Sequence, residues 1–83
     1  MAKIVIESFM TSQLGLNGNQ LVLFATLWRD SNGGKDEVSD DYQRYSASIN
    51  TTIPTYYSCM KKLEERGLIV MQEKGKYKIV KTW

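Results

Sequence analysis

The chain has 83 residues, of which 42% are hydrophobic and 24% charged, and its formal net charge is +2. This length predicts one domain, residues 1–83, with little room for a deep enzyme cleft, and two Trp, five Tyr and two Phe argue against disorder. Residues 1–50 carry four Lys or Arg against six Asp or Glu, and residues 51–83 carry seven against three, so the second part suits either an anion-binding face or a solvated surface.

The N-terminal extension, residues 1–14, carries two short patterns. Lys3–Ile6 is rich in β-branched residues and suits a strand, and Ser8–Leu14 suits a short helix. The opening apolar run stops at Glu7 without a small-residue cleavage site, so we expect no signal peptide.

The first long helix is predicted over residues 17–30. Asn17 can cap it, and Gln20 would complete a capping box. Leu21–Trp28 is apolar on nearly every side, which is typical of a helix at the centre of a core. This longest apolar run is far shorter than the ~20 residues that a membrane span needs, so we expect no membrane partner.

The second helix is predicted over residues 39–49. Ser39 is the expected cap, and two acidic residues, Asp40 and Asp41, favour the positive end of the helix. Because these carboxylates would repel phosphate, we expect them on the far side from any bound nucleic acid, or in a capping role only.

The third helix is predicted over residues 53–66. Pro54 lies in its first turn, where the missing N–H costs little, and Gly67 ends it. A buried stripe is predicted at positions i, i+3, i+4 and i+7, which are Tyr56, Cys59, Met60 and Leu63. The opposite side, with Thr55, Tyr57, Ser58, Lys61 and Lys62, is expected to face solvent or a partner.

A β-hairpin is predicted over residues 68–81. Its strands are Leu68–Met71 and Tyr77–Val80, and Gly75 supplies the turn between them. Three helices followed by a small antiparallel sheet make an α+β fold.

Thr55–Ile69, which ends in Leu-Glu-Glu-Arg-Gly-Leu-Ile, resembles the recognition helix and the start of the wing in winged helix-turn-helix domains of bacterial and phage regulators and replication proteins. Ile49–Thr52 is similar to the tight turn before that helix, and Leu14–Trp28 is similar to the first helix. The resemblance implies a three-helix winged helix-turn-helix with a C-terminal β-hairpin wing. It also implies double-stranded DNA binding by a small transcriptional regulator or replication-associated protein.

In such domains the third helix lies in the major groove and the wing approaches a phosphate or the minor groove. The residues that the resemblance assigns to DNA are Thr52, Thr55, Tyr57, Ser58, Lys61, Lys62, Lys74 and Lys76. Lysines neutralise phosphates, and hydroxyls donate to phosphates or base edges. Each also has a structural interpretation: a cap for Thr52, packing for Tyr57, local backbone bonding for Thr55 and Ser58, and exposed or edge-protecting lysines for the rest.

The chain departs from the family at the start of the third helix. Its exposed face has no Arg, Asn or Gln there, and Ile53 and Pro54 occupy positions where polar readers of bases often lie. Strong sequence specificity is therefore not expected, although apolar contact with thymine methyl groups is compatible with these residues.

Other functional classes receive less support. The chain has no histidine and no metal-ligand cluster, so we expect no enzyme, metal, cofactor or small-molecule ligand. A single cysteine, Cys59, excludes an internal disulfide and favours the cytoplasm. The alternative is a protein-interaction or dimerisation module without DNA binding, anchored by aromatic residues such as Tyr57 and Trp83. A homodimer is compatible with either function.

Overall fold

Four helices and three short strands lie in the part of the chain that the computed structural model describes, residues 6–73 and 75–80. In chain order they are α1 (Ser8–Ser12), α2 (Gly18–Asp30), β1 (Val38–Ser39), α3 (Tyr42–Ser48), α4 (Ile53–Glu65), β2 (Ile69–Glu73) and β3 (Lys76–Ile79). They form a small, compact α+β structure. None of these helices is long and apolar enough to cross a membrane.

The core is built around α2 and α4. Helix α2 buries five consecutive residues, Leu23–Leu27, as its all-round apolar sequence predicts. Thr26 is compatible with this position because its hydroxyl donates to the carbonyl of Val22 at 2.9 Å. Helix α4 buries the predicted stripe of Tyr56, Cys59, Met60 and Leu63, which is confirmed.

Both ends of α4 are held by specific contacts. Pro54 lies in the first turn, as predicted. At the other end Gly67 adopts a left-handed conformation (φ 75°), and the amides of Gly67 and Leu68 donate to the carbonyls of Glu64 and Leu63. The guanidinium of Arg66 donates to the carbonyl of Leu14, which ties the end of α4 to the segment before α2.

The sheet is antiparallel, with the strand order β1-β3-β2. Val38 lies opposite Tyr77, and Ile69 lies opposite Ile79. These four side chains are buried beneath the helices. The register shifts between Met71 and Glu73, and the last pair before the hairpin turn is Glu73 opposite Lys76.

The prediction for the region before α3 is wrong. The second helix begins at Tyr42 rather than at Ser39, and Val38–Ser39 is a strand that pairs with β3. The cap is Asp41, whose carboxylate accepts from the backbone N–H of Arg44 at 3.4 Å. The sheet therefore has three strands instead of the two of a hairpin.

The predicted bounds of the two long helices agree more closely with the structure. Helices α2 and α4 differ by one residue at one end from the predicted ranges 17–30 and 53–66. Asn17 occupies the cap position of α2, but its side chain makes no capping hydrogen bond, so the predicted capping box is not formed. The short N-terminal helix is present as α1, a fourth helix. The predicted strand Lys3–Ile6 lies, except for Ile6, outside the described residues.

Asp30, at the end of α2, joins this helix to α3. Its carboxylate accepts from the Arg44 guanidinium at 2.6 Å, from the Tyr45 hydroxyl at 2.8 Å and from Nε of Arg29 at 3.2 Å. Partial burial acts to raise the pKa of Asp30, but hydrogen bonds from Tyr45, Arg44 and Arg29 outweigh it and hold the pKa below its ordinary value of 3.8.

Asp30→Asn is expected to lower the free energy of unfolding at pH 7 by about 1.5–3 kcal/mol, because charge-assisted hydrogen bonds are lost. A carboxylate whose pKa is depressed by folding stabilises the protein above its unfolded pKa, and this contribution disappears as the pH falls through the folded pKa. The difference between variant and wild type should therefore shrink as the pH falls through and below 3.8, the ordinary pKa of this group, in urea unfolding followed by tryptophan fluorescence. Asp36→Asn, in an exposed loop, is the control. A difference that stays constant over this pH range would contradict the assignment.

Candidate nucleic-acid interface

The exposed face of α4 lies opposite its buried stripe. With 3.6 residues per turn, Pro54, Ser58 and Lys61 project away from the core, and all three are exposed. Tyr57 and Ile53 lie along one side of this face, and each is 39% exposed. We call this surface the α4 face.

Lys61 and Lys62 supply the positive charge of the α4 face. Both are exposed, and neither forms a salt bridge with a described carboxylate. The salt bridges in residues 6–73 and 75–80 instead join Arg29 and Arg44 to Asp30 and Asp41. Two adjacent lysines on one helix are therefore available to an external anion.

Thr52 and Thr55 have structural roles at the start of α4. Thr52 is the N-cap, and its hydroxyl oxygen accepts from the backbone N–H of Thr55 at 3.4 Å. The two threonine hydroxyls are also hydrogen-bonded to each other at 3.0 Å. The capping interpretation of Thr52 is confirmed. Ser58 retains a hydroxyl with no hydrogen bond to any described residue.

Tyr57 is held in place by packing and by one hydrogen bond. Its ring meets Tyr56 edge-on with centroids 4.9 Å apart, and Tyr42 of α3 lies 6.1 Å away on the other side. Its hydroxyl donates to Oδ2 of Asp40 at 3.0 Å. Desolvation and this bond raise the pKa of the Tyr57 hydroxyl. These contacts agree with the packing interpretation of Tyr57.

Asp40 lies beside the α4 face and does not cap α3, because the cap is Asp41. The other oxygen of its carboxylate accepts from the hydroxyl of the fully buried Tyr56 at 2.7 Å. Burial, followed by this bond, raises the pKa of Tyr56. The backbone N–H of Asp40 donates to the carbonyl of Gly75 at 2.8 Å, so one residue contacts both α4 and the hairpin turn.

No feature of the sequence indicates this arrangement of Asp40. Asp40 and Tyr56 lie 16 positions apart in the sequence. An Asp-Asp pair before a helical stretch is typical of the first turn of that helix. Only the pairing of β1 with β3 brings Asp40 to the hairpin turn.

The hairpin is less uniformly basic than its lysines suggest. Lys76 and Lys78 are exposed on β3, and Lys74 lies outside the described residues. Lys76 lies opposite Glu73 in the sheet. An open groove beside the hairpin has a mixed lining of Lys35, Asp36, Glu37, Gln72, Glu73 and Lys78.

Cys59 and the acidic side chains are the remaining candidates for a nucleophile or a metal ligand. Burial raises the pKa of the Cys59 thiol, although nearby Lys62 acts in the opposite direction. In residues 6–73 and 75–80, no group of three or more His, Cys, Asp or Glu side chains is arranged to hold a metal ion.

The structure brings most of the predicted DNA contacts to one region. Six of them belong to α4 or its cap: Thr52, Thr55, Tyr57, Ser58, Lys61 and Lys62. Lys76 adjoins Gly75, which Asp40 connects to the same region. No family model, curated protein or solved structure matches this chain. Function is therefore inferred from the geometry and charge of the α4 face.

Asp40→Ala is expected to lower the free energy of unfolding by about 1–3 kcal/mol, because the buried hydroxyl of Tyr56 loses its acceptor. Tyr57→Phe should cost less than about 0.5 kcal/mol, because its hydroxyl is more accessible to water. Adding Tyr56→Phe to Asp40→Ala should recover part of the loss, since it removes the unsatisfied group. Chemical denaturation measures all three variants. Equal losses for Asp40→Ala and Tyr57→Phe would show that the bond to Tyr56 contributes little.

Proposed function

We propose that this chain is a winged helix-turn-helix domain that binds double-stranded DNA through the α4 face. The element order supports this proposal: α2, α3 and α4 pack around one core, and the β2–β3 hairpin follows α4 directly. A tight turn joins α3 to α4, with Asn50 in a left-handed conformation (φ 54°). The cellular role that fits such a domain is transcription regulation or a replication-associated task in the cytoplasm.

The observation that carries the proposal is the pair Lys61 and Lys62. Both are exposed on a helix whose other side is buried, and neither is in a salt bridge with a described acid, although the exposed Glu64 and Glu65 follow them on the same helix. A helix is about 10–12 Å wide with its side chains, and the major groove of B-DNA is about 12 Å wide, so α4 fits the groove. Each lysine would then neutralise a phosphate and release its condensed counterions.

Protein binding without DNA is the second candidate, and β2 supports it. This strand lies at an edge of the sheet, and its side chains Val70 and Met71 are 38% and 49% exposed. Exposed apolar side chains on an edge strand suit a second copy of the chain or another protein. A dimer formed through β2 would leave the α4 face accessible, so it is compatible with DNA binding.

Replacing both lysines (Lys61→Gln with Lys62→Gln) is expected to weaken binding to a labelled duplex of about 20 base pairs at least tenfold at low salt. The slope of log K against log salt concentration should become smaller in magnitude by about 2, because two phosphate contacts are lost. Fluorescence anisotropy titrations at several salt concentrations measure both quantities.

Two control variants distinguish the effect of positive charge at positions 61 and 62 from the effect of net charge. Lys61→Arg with Lys62→Arg keeps both charges and should keep the affinity. Lys35→Gln removes a positive charge from an exposed loop and should change the affinity little. Unchanged affinity in the double glutamine variant, or no binding by the wild type at low salt, would favour the protein-interaction function.

Asp40→Asn should strengthen DNA binding, whereas the double glutamine variant should weaken it. The Asp40→Asn substitution removes a negative charge beside the α4 face and keeps a side-chain oxygen that can accept from a tyrosine hydroxyl. We expect binding to the same duplex to tighten about two- to threefold at low salt, and the gain to fade as salt screens the charge. Asp36→Asn, which removes an exposed loop carboxylate, should have a smaller effect. An equal gain in both variants would indicate that only net charge matters.

A further inference from the structure

The polar groups in the first two turns of α4 are mostly engaged within the protein. The hydroxyls of Thr52 and Thr55 bond to each other, and Thr52 also caps the helix. The hydroxyl of Tyr57 donates to Asp40 at 3.0 Å. Ser58 is then the one hydroxyl of these turns without a hydrogen bond to a described residue. Apart from Ser58 and the remaining donor of the Thr55 hydroxyl, this part of the helix has few polar groups left to read donors and acceptors on base edges.

The side chains that these two turns expose to solvent are mainly apolar. Ile53, the first residue of α4, is 39% exposed, and the neighbouring Pro54 is also exposed. An isoleucine is restricted at χ1, so it presents its methyl groups in a defined direction. It lies at the end of the helix that, in the proposed binding mode, enters the major groove.

We propose that Ile53 contacts the 5-methyl group of thymine and gives the chain a preference for A·T base pairs. Among the four bases thymine alone carries a methyl group on its major-groove edge. An isoleucine gains apolar contact there, whereas opposite cytosine it would desolvate an amino group without replacing its hydrogen bond. This inference rests on the proposed function and names the chemistry that the α4 face would recognise.

The charge on the same helix favours DNA over an apolar protein partner at this site. Lys61 lies eight residues after Ile53, which corresponds to about 12 Å along the helix axis. It is exposed and has no salt bridge to a described acid. Exposed Glu64 and Glu65 follow the two lysines, so the last turn is charged but not basic overall. An apolar first turn with lysines two turns further along matches a groove whose floor carries methyl groups and whose rims carry phosphates.

Base analogues that differ by one methyl group test the inference without knowledge of a target sequence. The first pair of probes is an alternating A·T duplex of about 20 base pairs and the same duplex with deoxyuridine for thymidine. The second pair is an alternating G·C duplex with and without 5-methylcytosine, which places a methyl group at the equivalent position. Anisotropy titrations use the wild type, Ile53→Ala and Ile6→Ala. Ile6→Ala is the control because Ile6 is an isoleucine of similar exposure, 43%, outside α4 and the sheet.

The wild type should bind the thymidine duplex about fourfold more tightly than the deoxyuridine duplex for each methyl group that becomes buried. It should bind methylated G·C more tightly than unmethylated G·C. In Ile53→Ala both ratios should fall to about 1 while the dependence on salt remains, and Ile6→Ala should keep the wild-type ratios. Circular dichroism confirms that each variant is folded.

Equal wild-type affinity for the thymidine and deoxyuridine duplexes would overturn the inference and leave DNA binding intact. A thymidine preference that persists in Ile53→Ala would also overturn it, because another feature would then read the methyl group or the shape of the duplex. Failure to bind any of the four duplexes at low salt would instead overturn the proposed function itself.

Discussion

The carboxylate of Asp40 accepts hydrogen bonds from two adjacent tyrosines of α4, and the backbone N–H of the same residue donates to Gly75 in the hairpin turn. The orientation of α4 relative to the sheet depends on this junction. Tyr56 can place its ring in the core because Asp40 satisfies its hydroxyl, which would otherwise be costly to bury. Pairing of β1 with β3 brings Asp40 to this point, so the two-residue strand matters more than its length suggests.

The same junction shapes the surface that we propose for DNA. It engages the hydroxyl of Tyr57 and places a negative charge beside the α4 face. The outward polar side chains of that helix are then Ser58, Lys61 and Lys62 together with the exposed Glu64 and Glu65, and the helix begins with the apolar pair Ile53 and Pro54. In the proposed binding mode the lysines would supply salt-dependent affinity, and the apolar side chains would supply discrimination between bases.

Sequence patterns predicted the elements that are long enough to show a hydrophobic period. Helices α2 and α4 show their apolar periods over 13 residues each, and Gly67 marks the end of α4, so their bounds differed by no more than one residue at either end. Strand β1 has two residues, too few to show alternation, and the acidic pair after it resembles the first turn of a helix. This is why α3 was predicted three residues too early and the third strand was missed.

The sequence by itself determined the α+β class, the buried stripe of α4 and the exposure of Lys61 and Lys62, because helical periodicity places residues on faces without reference to the rest of the chain. Only the tertiary structure decided which polar groups are already engaged. The contact between Tyr57 and Asp40 joins residues 17 positions apart on different elements. Such a contact depends on sheet pairing and helix packing, which local pattern does not encode, and it gives the exposed Tyr57 a packing and hydrogen-bonding role within the protein.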